Sequence, residues 1–128
     1  MSRIVLDASA LLAALTGEPG ADKLTLELLS TAVISTVNLA EVQTKLVNRG
    51  LRPNRAWEAA LAPVERAIPF TSEQAKTAGS MVAETRAWGL SLGDRACLSL
   101  GLALQAPVYT ADRSWKNLKL GVPIHVIR

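Results

Sequence analysis

Four acidic residues stand where a carboxylate could do chemistry: Asp7, Glu41, Asp94 and Asp112. Asp7 directly follows the apolar run Ile4-Val5-Leu6 and Asp112 closely follows Val108-Tyr109-Thr110, so both are predicted just beyond the ends of strands. Glu41 and Asp94 fall in the first turns of predicted helices. Because ligands of open parallel α/β sheets bind outside the carboxyl ends of the strands, we expect all four carboxylates at one edge of a sheet.

Such a group of acids needs compensation for its own charge. Two like charges ~4 Å apart repel by about 4 kcal/mol at an effective dielectric constant near 20. Either protons are shared, which raises some pKa values, or a divalent cation sits among the carboxylates. Oxygen ligands without nearby His or Cys favour a hard cation, Mg²⁺ or Mn²⁺. With such an ion, the site suits phosphodiester cleavage by metal-activated water, one carboxylate helping to deprotonate that water.

Each acid also has a purely structural interpretation. Asp7 could help to start the first helix, where Ser9 is a plausible N-cap, and Asp112 could be a turn residue. The spacings Asn38-x-x-Glu41 and Ser91-x-x-Asp94 both match a capping box. Asp94 resists this interpretation best, because the helix that follows it is apolar nearly all round and should be buried.

The elements that must position these acids alternate along the chain. Predicted strands cover residues 4–6, 32–35, 64–70, 107–110 and 123–127. Pro69 suggests that the third strand lies at an edge of the sheet or contains a bulge. Predicted helices cover residues 8–15, 22–29, 39–48, 56–61, 71–87 and 92–104, with a helical turn at 113–118; residues 36–38 are predicted as a turn. This alternation predicts one α/β domain over residues 1–128, with a central parallel sheet flanked by helices on both faces.

The composition excludes several classes of protein. Hydrophobic residues make up 49% of the 128 residues and no long apolar run occurs, which predicts a globular, cytoplasmic protein without a membrane span. Cys97 is the only cysteine and His125 the only histidine, which excludes an intrachain disulfide, a multi-His metal site and a cysteine-based zinc site. The net charge is +3, and without the four candidate carboxylates the rest of the chain carries +7, which suits a polyanion held near bound metal.

With this ordered set of acids, the chain resembles the PIN-domain family and, within it, the VapC-type toxins of prokaryotic toxin–antitoxin pairs. The segments that carry the resemblance are Val5-Leu6-Asp7-Ala8-Ser9, Asn38-Leu39-Ala40-Glu41-Val42, Leu92-Gly93-Asp94-Arg95-Ala96 and Tyr109-Thr110-Ala111-Asp112-Arg113. The resemblance implies a PIN-like three-layer α/β/α fold and a Mg²⁺-dependent endoribonuclease that is inhibited by a cognate antitoxin and is commonly a homodimer. All four family acids are matched, and Ser9 and Thr110 match the polar positions beside them, where they would orient the carboxylates or a metal-bound water.

Basic residues near the acids are candidates for contacts with RNA phosphates. Lys45 and Arg49 lie one and two turns beyond Glu41, and Arg95 and Arg113 each follow a proposed metal ligand. The alternative for all four is an ordinary solvated surface, since charged residues are normally exposed. For the whole chain, two other functions stay open: a receiver-like phosphoacceptor domain, and a non-catalytic α/β module that only binds a protein partner.

Overall fold

The computed structural model describes residues 2–128, which fold around a five-stranded parallel sheet. The strands are β1 (Ile4–Leu6), β2 (Ala32–Ser35), β3 (Arg66–Ile68), β4 (Val108–Thr110) and β5 (Ile124–Val126). The α-helices are α1 (Ala8–Thr16), α2 (Leu26–Leu29), α3 (Thr36–Asn48), α4 (Pro53–Leu61), α5 (Ser72–Ser80), α6 (Val82–Thr85) and α7 (Leu92–Leu104). Short 3₁₀ helices cover Ala21–Lys23, Arg86–Trp88 and Arg113–Asn117.

Both faces of the sheet are covered, which is why the middle strand β1 is apolar at every position. Side chains alternate along a strand: Leu6 and Ile34 pack into one cluster with residues of α1, α3 and α4, while Val5 and Val33 pack into a second cluster on the opposite face. The second cluster is built from α7 and the surroundings of the buried Trp115. The predicted α/β/α layering is therefore confirmed.

The strand order is β3-β2-β1-β4-β5, and all neighbouring strands are parallel. The chain builds the sheet outward from β1 through β2 to β3, and then returns to place β4 on the other side of β1. The order therefore reverses between β1 and β4, and the crevice beyond their carboxyl ends is the expected place for a ligand in this type of sheet.

Several predicted boundaries are wrong. Residues 36–38 are not a turn: Ser35 caps α3, which begins directly at Thr36. The predicted helix 22–29 is divided into a 3₁₀ helix and α2, and the predicted helix 71–87 is interrupted at Met81. In both places apolar periodicity continued across a break that only the packing of the chain produces. Within residues 2–128, every helix is too short or too polar to cross a membrane.

Candidate active site

Asp7 is buried at the carboxyl end of β1 and is held by several donors. It caps α1: its Oδ1 accepts a hydrogen bond from the Ala10 N–H at 2.8 Å. The Ser9 hydroxyl donates to Oδ1 at 2.7 Å, and the Thr110 hydroxyl donates to Oδ2 at 2.6 Å. The N-cap of α1 is therefore Asp7, and the prediction of Ser9 in that role is wrong, because α1 begins at Ala8 and Ser9 lies inside its first turn.

Ser9 and Thr110 also tie the end of β4 to Asp7. Leu6 lies opposite Tyr109 in the β1–β4 register, which brings Thr110 beside Asp7. The Thr110 Oγ1 accepts a hydrogen bond from the Asp112 N–H at 3.0 Å, and the Ser9 Oγ accepts one from the Ala111 N–H at 2.9 Å. The two hydroxyls thus fix where the segment that carries Asp112 leaves the sheet.

Asp112 is exposed and caps the 3₁₀ helix Arg113–Asn117. Its Oδ1 accepts hydrogen bonds from the Ser114 N–H at 2.9 Å and from the Ser114 hydroxyl at 2.7 Å. No hydrogen bond to its Oδ2 occurs in the described part of the chain. The capping interaction therefore uses one oxygen of the carboxylate and leaves the other for a ligand.

Glu41 and Asp94 come from α3 and α7, which Asn38 links. The Asn38 Nδ2 donates to Glu41 Oε1 at 2.8 Å and to the Gly93 carbonyl at 2.9 Å. Asp94 forms a capping box with Ser91, whose N–H donates to Asp94 Oδ2 at 2.9 Å. Asn38 is not itself the N-cap of α3, so the predicted capping box of Asn38 and Glu41 is wrong; the two side chains pair inside the helix instead.

The four carboxylates line one cavity of about 320 Å³. The other lining residues are Ala8, Ser9, Leu12, Glu18, Lys45 and Arg128. Across residues 2–128, however, the structure does not bring three or more Asp, Glu, His or Cys side chains close enough together to hold one metal ion. The side chains share a cavity, and joint coordination of an ion would require them to move closer.

The electrostatics of the site show mutual influence among the acids. Burial raises the pKa of the Asp7 carboxyl from its ordinary 3.8 to about 6, although hydrogen bonds from Thr110, Ala10 and Ser9 oppose the shift. The charge of Asp94 adds to it. Burial also raises the pKa of the Cys97 thiol well above its usual range, and the carboxylates of Asp7, Asp94 and Glu41 act in the same direction. Burying these charges is costly without compensation, which is the condition that a bound cation relieves.

Two residues of the cavity were missed by sequence reasoning. Glu18 lines the cavity, and its carboxylate lies 3.7 Å from both Arg49 Nη2 and Arg128 Nη2. Arg128, which also donates to the Ala111 carbonyl at 3.2 Å, was not singled out. Nothing in the local pattern around either residue indicates the cavity, since they meet only when β5 pairs with β4.

The four candidate RNA-contact residues lie in different places. Lys45 lines the acidic cavity, whereas Arg49 is beside Glu18 at its periphery. The Arg95 Nη1 donates to the Ala78 carbonyl of α5 at 2.9 Å, so this side chain packs between helices. Arg113 lines a neighbouring cavity.

Comparison with known proteins gives a family and a set of similar folds. The model of the PIN domain family matches residues 4–120. The chain is similar to VapBC2 from Rickettsia felis, solved bound to a promoter DNA fragment, at 22% identity and a TM-score of 0.73, with 98% of each chain covered. It is similar to DNA-bound VapBC from Salmonella typhimurium at 18% identity and a TM-score of 0.76, with both chains fully covered.

A third similar structure is VapC20 of Mycobacterium tuberculosis, described as a toxin that cleaves the sarcin–ricin loop. Its identity is 20% and its TM-score 0.73, with 94% of this chain and 98% of that chain covered. No curated protein matches by sequence. At these low identities, the solved structures show only that the fold is shared. The family model matches most of the chain.

Proposed function

The chain belongs to the PIN domain family, and on this premise we propose that it is a divalent-metal-dependent endoribonuclease. The observation that supports this most is the shared cavity of Asp7, Glu41, Asp94 and Asp112, at the crevice where the strand order reverses. Four carboxylates from separate parts of the chain line this one cavity, and a divalent ion that assists phosphodiester cleavage needs oxygen donors of this kind.

The donor set fits Mg²⁺ or Mn²⁺. All four candidate ligands are carboxylates, and both His125 and Cys97 lie outside the cavity lining. Glu41 Oε2, Asp94 Oδ1 and Asp112 Oδ2 receive no hydrogen bond within residues 2–128, so each of these carboxylates keeps one oxygen for a ligand beside its hydrogen-bonded one. A bound ion would supply Lewis acidity at the scissile phosphodiester and favour deprotonation of the attacking water.

The residues of the chain would then act in distinct ways. Ser9 and Thr110 orient the Asp7 carboxylate through the hydrogen bonds described above. Asn38 orients Glu41, and Lys45 contributes a positive charge at the cavity wall that can contact a phosphate. One carboxylate helps to remove the proton from the attacking water.

We further propose that the protein is the toxin of a toxin–antitoxin pair, with an antitoxin as partner, a homodimeric assembly and a cytoplasmic site of action. The support is the fold similarity to the VapBC structures and VapC20 together with the retained acids. A nuclease that acts on cellular RNA must also reach it, which is consistent with a chain whose described helices cannot span a membrane.

The cleavage experiment uses structured and single-stranded RNAs with Mg²⁺ or Mn²⁺. We expect cleavage by the wild-type protein, loss of cleavage in EDTA, and a loss of at least ~10²-fold in Asp94→Asn, since a ligand of the ion is removed. Glu58→Gln, at an exposed position of α4, is the matched control and should cleave as the wild type does. Cleavage that survives both EDTA and Asp94→Asn contradicts the proposed mechanism.

The capping bonds favour a second candidate, a non-catalytic binding module in which the acids only stabilise helix ends. Asp7, Asp94 and Asp112 all form such caps. Thermal unfolding with and without metal separates the two functions. An ion at ~100 times its Kd stabilises the fold by about 2.7 kcal/mol, so we expect a clear rise in Tm that Asp94→Asn abolishes. An unchanged Tm at millimolar metal supports the binding module.

A further inference from the structure

A second cavity, of about 540 Å³, adjoins the acidic one and is lined by Arg113, Lys116, Ile124, His125, Val126 and Arg128. We call it the basic cavity. Arg128 lines both cavities, so the two adjoin at this residue. The basic cavity lies between the 3₁₀ helix that Asp112 caps and the edge strand β5.

The charges of the basic cavity have little compensation from the protein itself. Among residues 2–128, no Asp or Glu side chain lines it. In the described part of the chain, neither Arg113 nor Lys116 lies within 4.0 Å of a carboxylate oxygen, and Arg128 approaches only Glu18, at 3.7 Å. Cations that served only to stabilise the fold would be expected to turn toward the five carboxylates next door. Grouped positive charge of this kind attracts an anion instead.

An aromatic surface lies in the same place. The His125 ring stacks on the Tyr109 ring, with centroids 4.6 Å apart and an angle of 19° between the planes. His125 is exposed and lines the cavity, so Tyr109 supports the ring from the sheet side. Cations beside an aromatic ring form the usual combination for binding a single strand, because the cations follow the phosphates and a base stacks on the ring.

We propose that the basic cavity binds the RNA strand next to the cleaved phosphodiester: Arg113 and Lys116 contact backbone phosphates, and His125 stacks on a base. The inference rests on the proposed nuclease function, because it identifies the continuation of that substrate. An RNA strand fits better than an acidic peptide, since its evenly repeated phosphates would occupy the acidic cavity with its ion and the basic cavity at once, and its bases use the aromatic surface.

Charged residues beside an edge strand can also prevent sheets from pairing edge to edge. β5 has no Lys, Arg, Asp or Glu, so this role would fall to the cations next to it, and it needs neither the adjoining acidic cavity nor the aromatic surface. It predicts that neutral variants aggregate while the soluble fraction keeps its affinity for RNA.

The test measures fluorescence anisotropy of a 5′-fluorescein-labelled single-stranded 12-mer RNA in EDTA at pH 8, so that binding is separated from cleavage. We expect Arg113→Gln/Lys116→Gln to raise Kd about tenfold or more at 50 mM salt. The slope of the logarithm of the binding constant against the logarithm of the salt concentration should become about 1.4 less steep, because two phosphate contacts are lost. His125→Ala should raise Kd at least about fivefold and leave that slope unchanged, because stacking releases no counterions.

The matched control is Lys76→Gln/Arg86→Gln, which removes the same charge from exposed positions away from both the acidic and the basic cavity. Equal RNA affinities for the two double variants overturn the inference. So does an equal loss of binding to a labelled decaglutamate peptide, which would indicate a peptide site. Metal-dependent cleavage, measured separately, reports on the nuclease function: a protein that cleaves RNA yet shows equal affinities refutes only the basic-cavity site.

Discussion

Asp7 combines two requirements that usually conflict in a carboxylate. It is only 4% exposed, yet it must carry a negative charge to bind a cation. Three donors, from Ser9, Ala10 and Thr110, partly compensate for its burial, and still the pKa of the carboxyl remains raised to about 6. At neutral pH the ionised, buried carboxylate therefore destabilises the fold, and a bound ion would remove this cost.

The direction of the pKa shift of Asp7 determines how the stability of the fold changes with pH. The pKa of Asp7 is higher in the folded chain than in the unfolded chain, so folding favours the protonated form. The stability that Asp7 contributes is therefore complete below pH 4 and is lost as the pH rises to 6. Two pKa units correspond to about 3 kcal/mol. We therefore compare the free energy of unfolding of Asp7→Asn with that of the wild type in EDTA. The difference, variant minus wild type, should increase by up to about 3 kcal/mol between pH 4 and pH 7.

Chemical denaturation at a series of pH values measures this difference. Asp22→Asn, at an exposed position in the 3₁₀ helix Ala21–Lys23, controls for the loss of one carboxylate. If the stabilities of Asp7→Asn and the wild type run parallel from pH 4 to pH 7, burial does not control the protonation of Asp7.

At the scale of elements, the site depends on how closely α3 approaches α7. Gly93 makes this approach possible, because a Cβ atom at this position would lie 2.8 Å from Glu41 Cδ. The Asn38 side chain bridges the same gap by bonding to Glu41 and to the Gly93 carbonyl. The absence of a side chain at Gly93 thus determines where the Glu41 carboxylate can lie.

Gly93→Ala should separate function from stability. The atoms that the new methyl group meets belong to the end of a flexible side chain, so Glu41 can turn away at small cost, and alanine itself favours a helix by up to about 1 kcal/mol over glycine. We therefore expect a free energy of unfolding close to that of the wild type and a loss of about 10²-fold in RNA cleavage, because a displaced ligand disturbs the reacting geometry.

Gly79→Ala provides the comparison for this variant. Gly79 is exposed in α5, and a Cβ atom there meets nothing within 4 Å. This variant should unfold at the same or a slightly higher temperature and cleave RNA normally. Full activity in Gly93→Ala, measured beside it, would show that the position of Glu41 is unimportant.

At the scale of the whole molecule, the sheet holds the site elements in place because both of its faces are packed. Leu98 of α7 is fully buried in the cluster around Val5, Val33 and Val108. It lies four residues, about one helical turn, after Asp94. The same helix therefore anchors the core with one part of its surface and presents a carboxylate with another.

Truncation of this core residue should lower stability by a predictable amount. Leu98→Ala should reduce the free energy of unfolding by about 2–5 kcal/mol, because it removes buried apolar contacts and leaves a cavity. Leu26→Ala is the matched control: Leu26 is 86% exposed, so the change should stay within about 0.5 kcal/mol. Urea denaturation gives both free energies of unfolding. Similar losses in the two variants would show that Leu98 is not part of the stabilising core.

The sequence by itself determined the elements and the identity of the candidate ligands. Short apolar strands at 4–6 and 32–35, and the helix at 92–104, are local patterns with clear periodicity, and the structure confirms their bounds. Asp7, Glu41, Asp94 and Asp112 could be singled out because each follows a strand or begins a helix. Their assignment as metal ligands stays a prediction.

The tertiary structure decided which distant residues meet. Glu18 and Arg128 border the same acids only because β4 lies beside β1 and β5 beside β4, and no local pattern encodes that order. The bridge from Asn38 to Gly93 likewise follows from packing between elements. Periodicity reports the environment of a segment averaged along its length, whereas a site depends on single contacts between segments far apart in the chain.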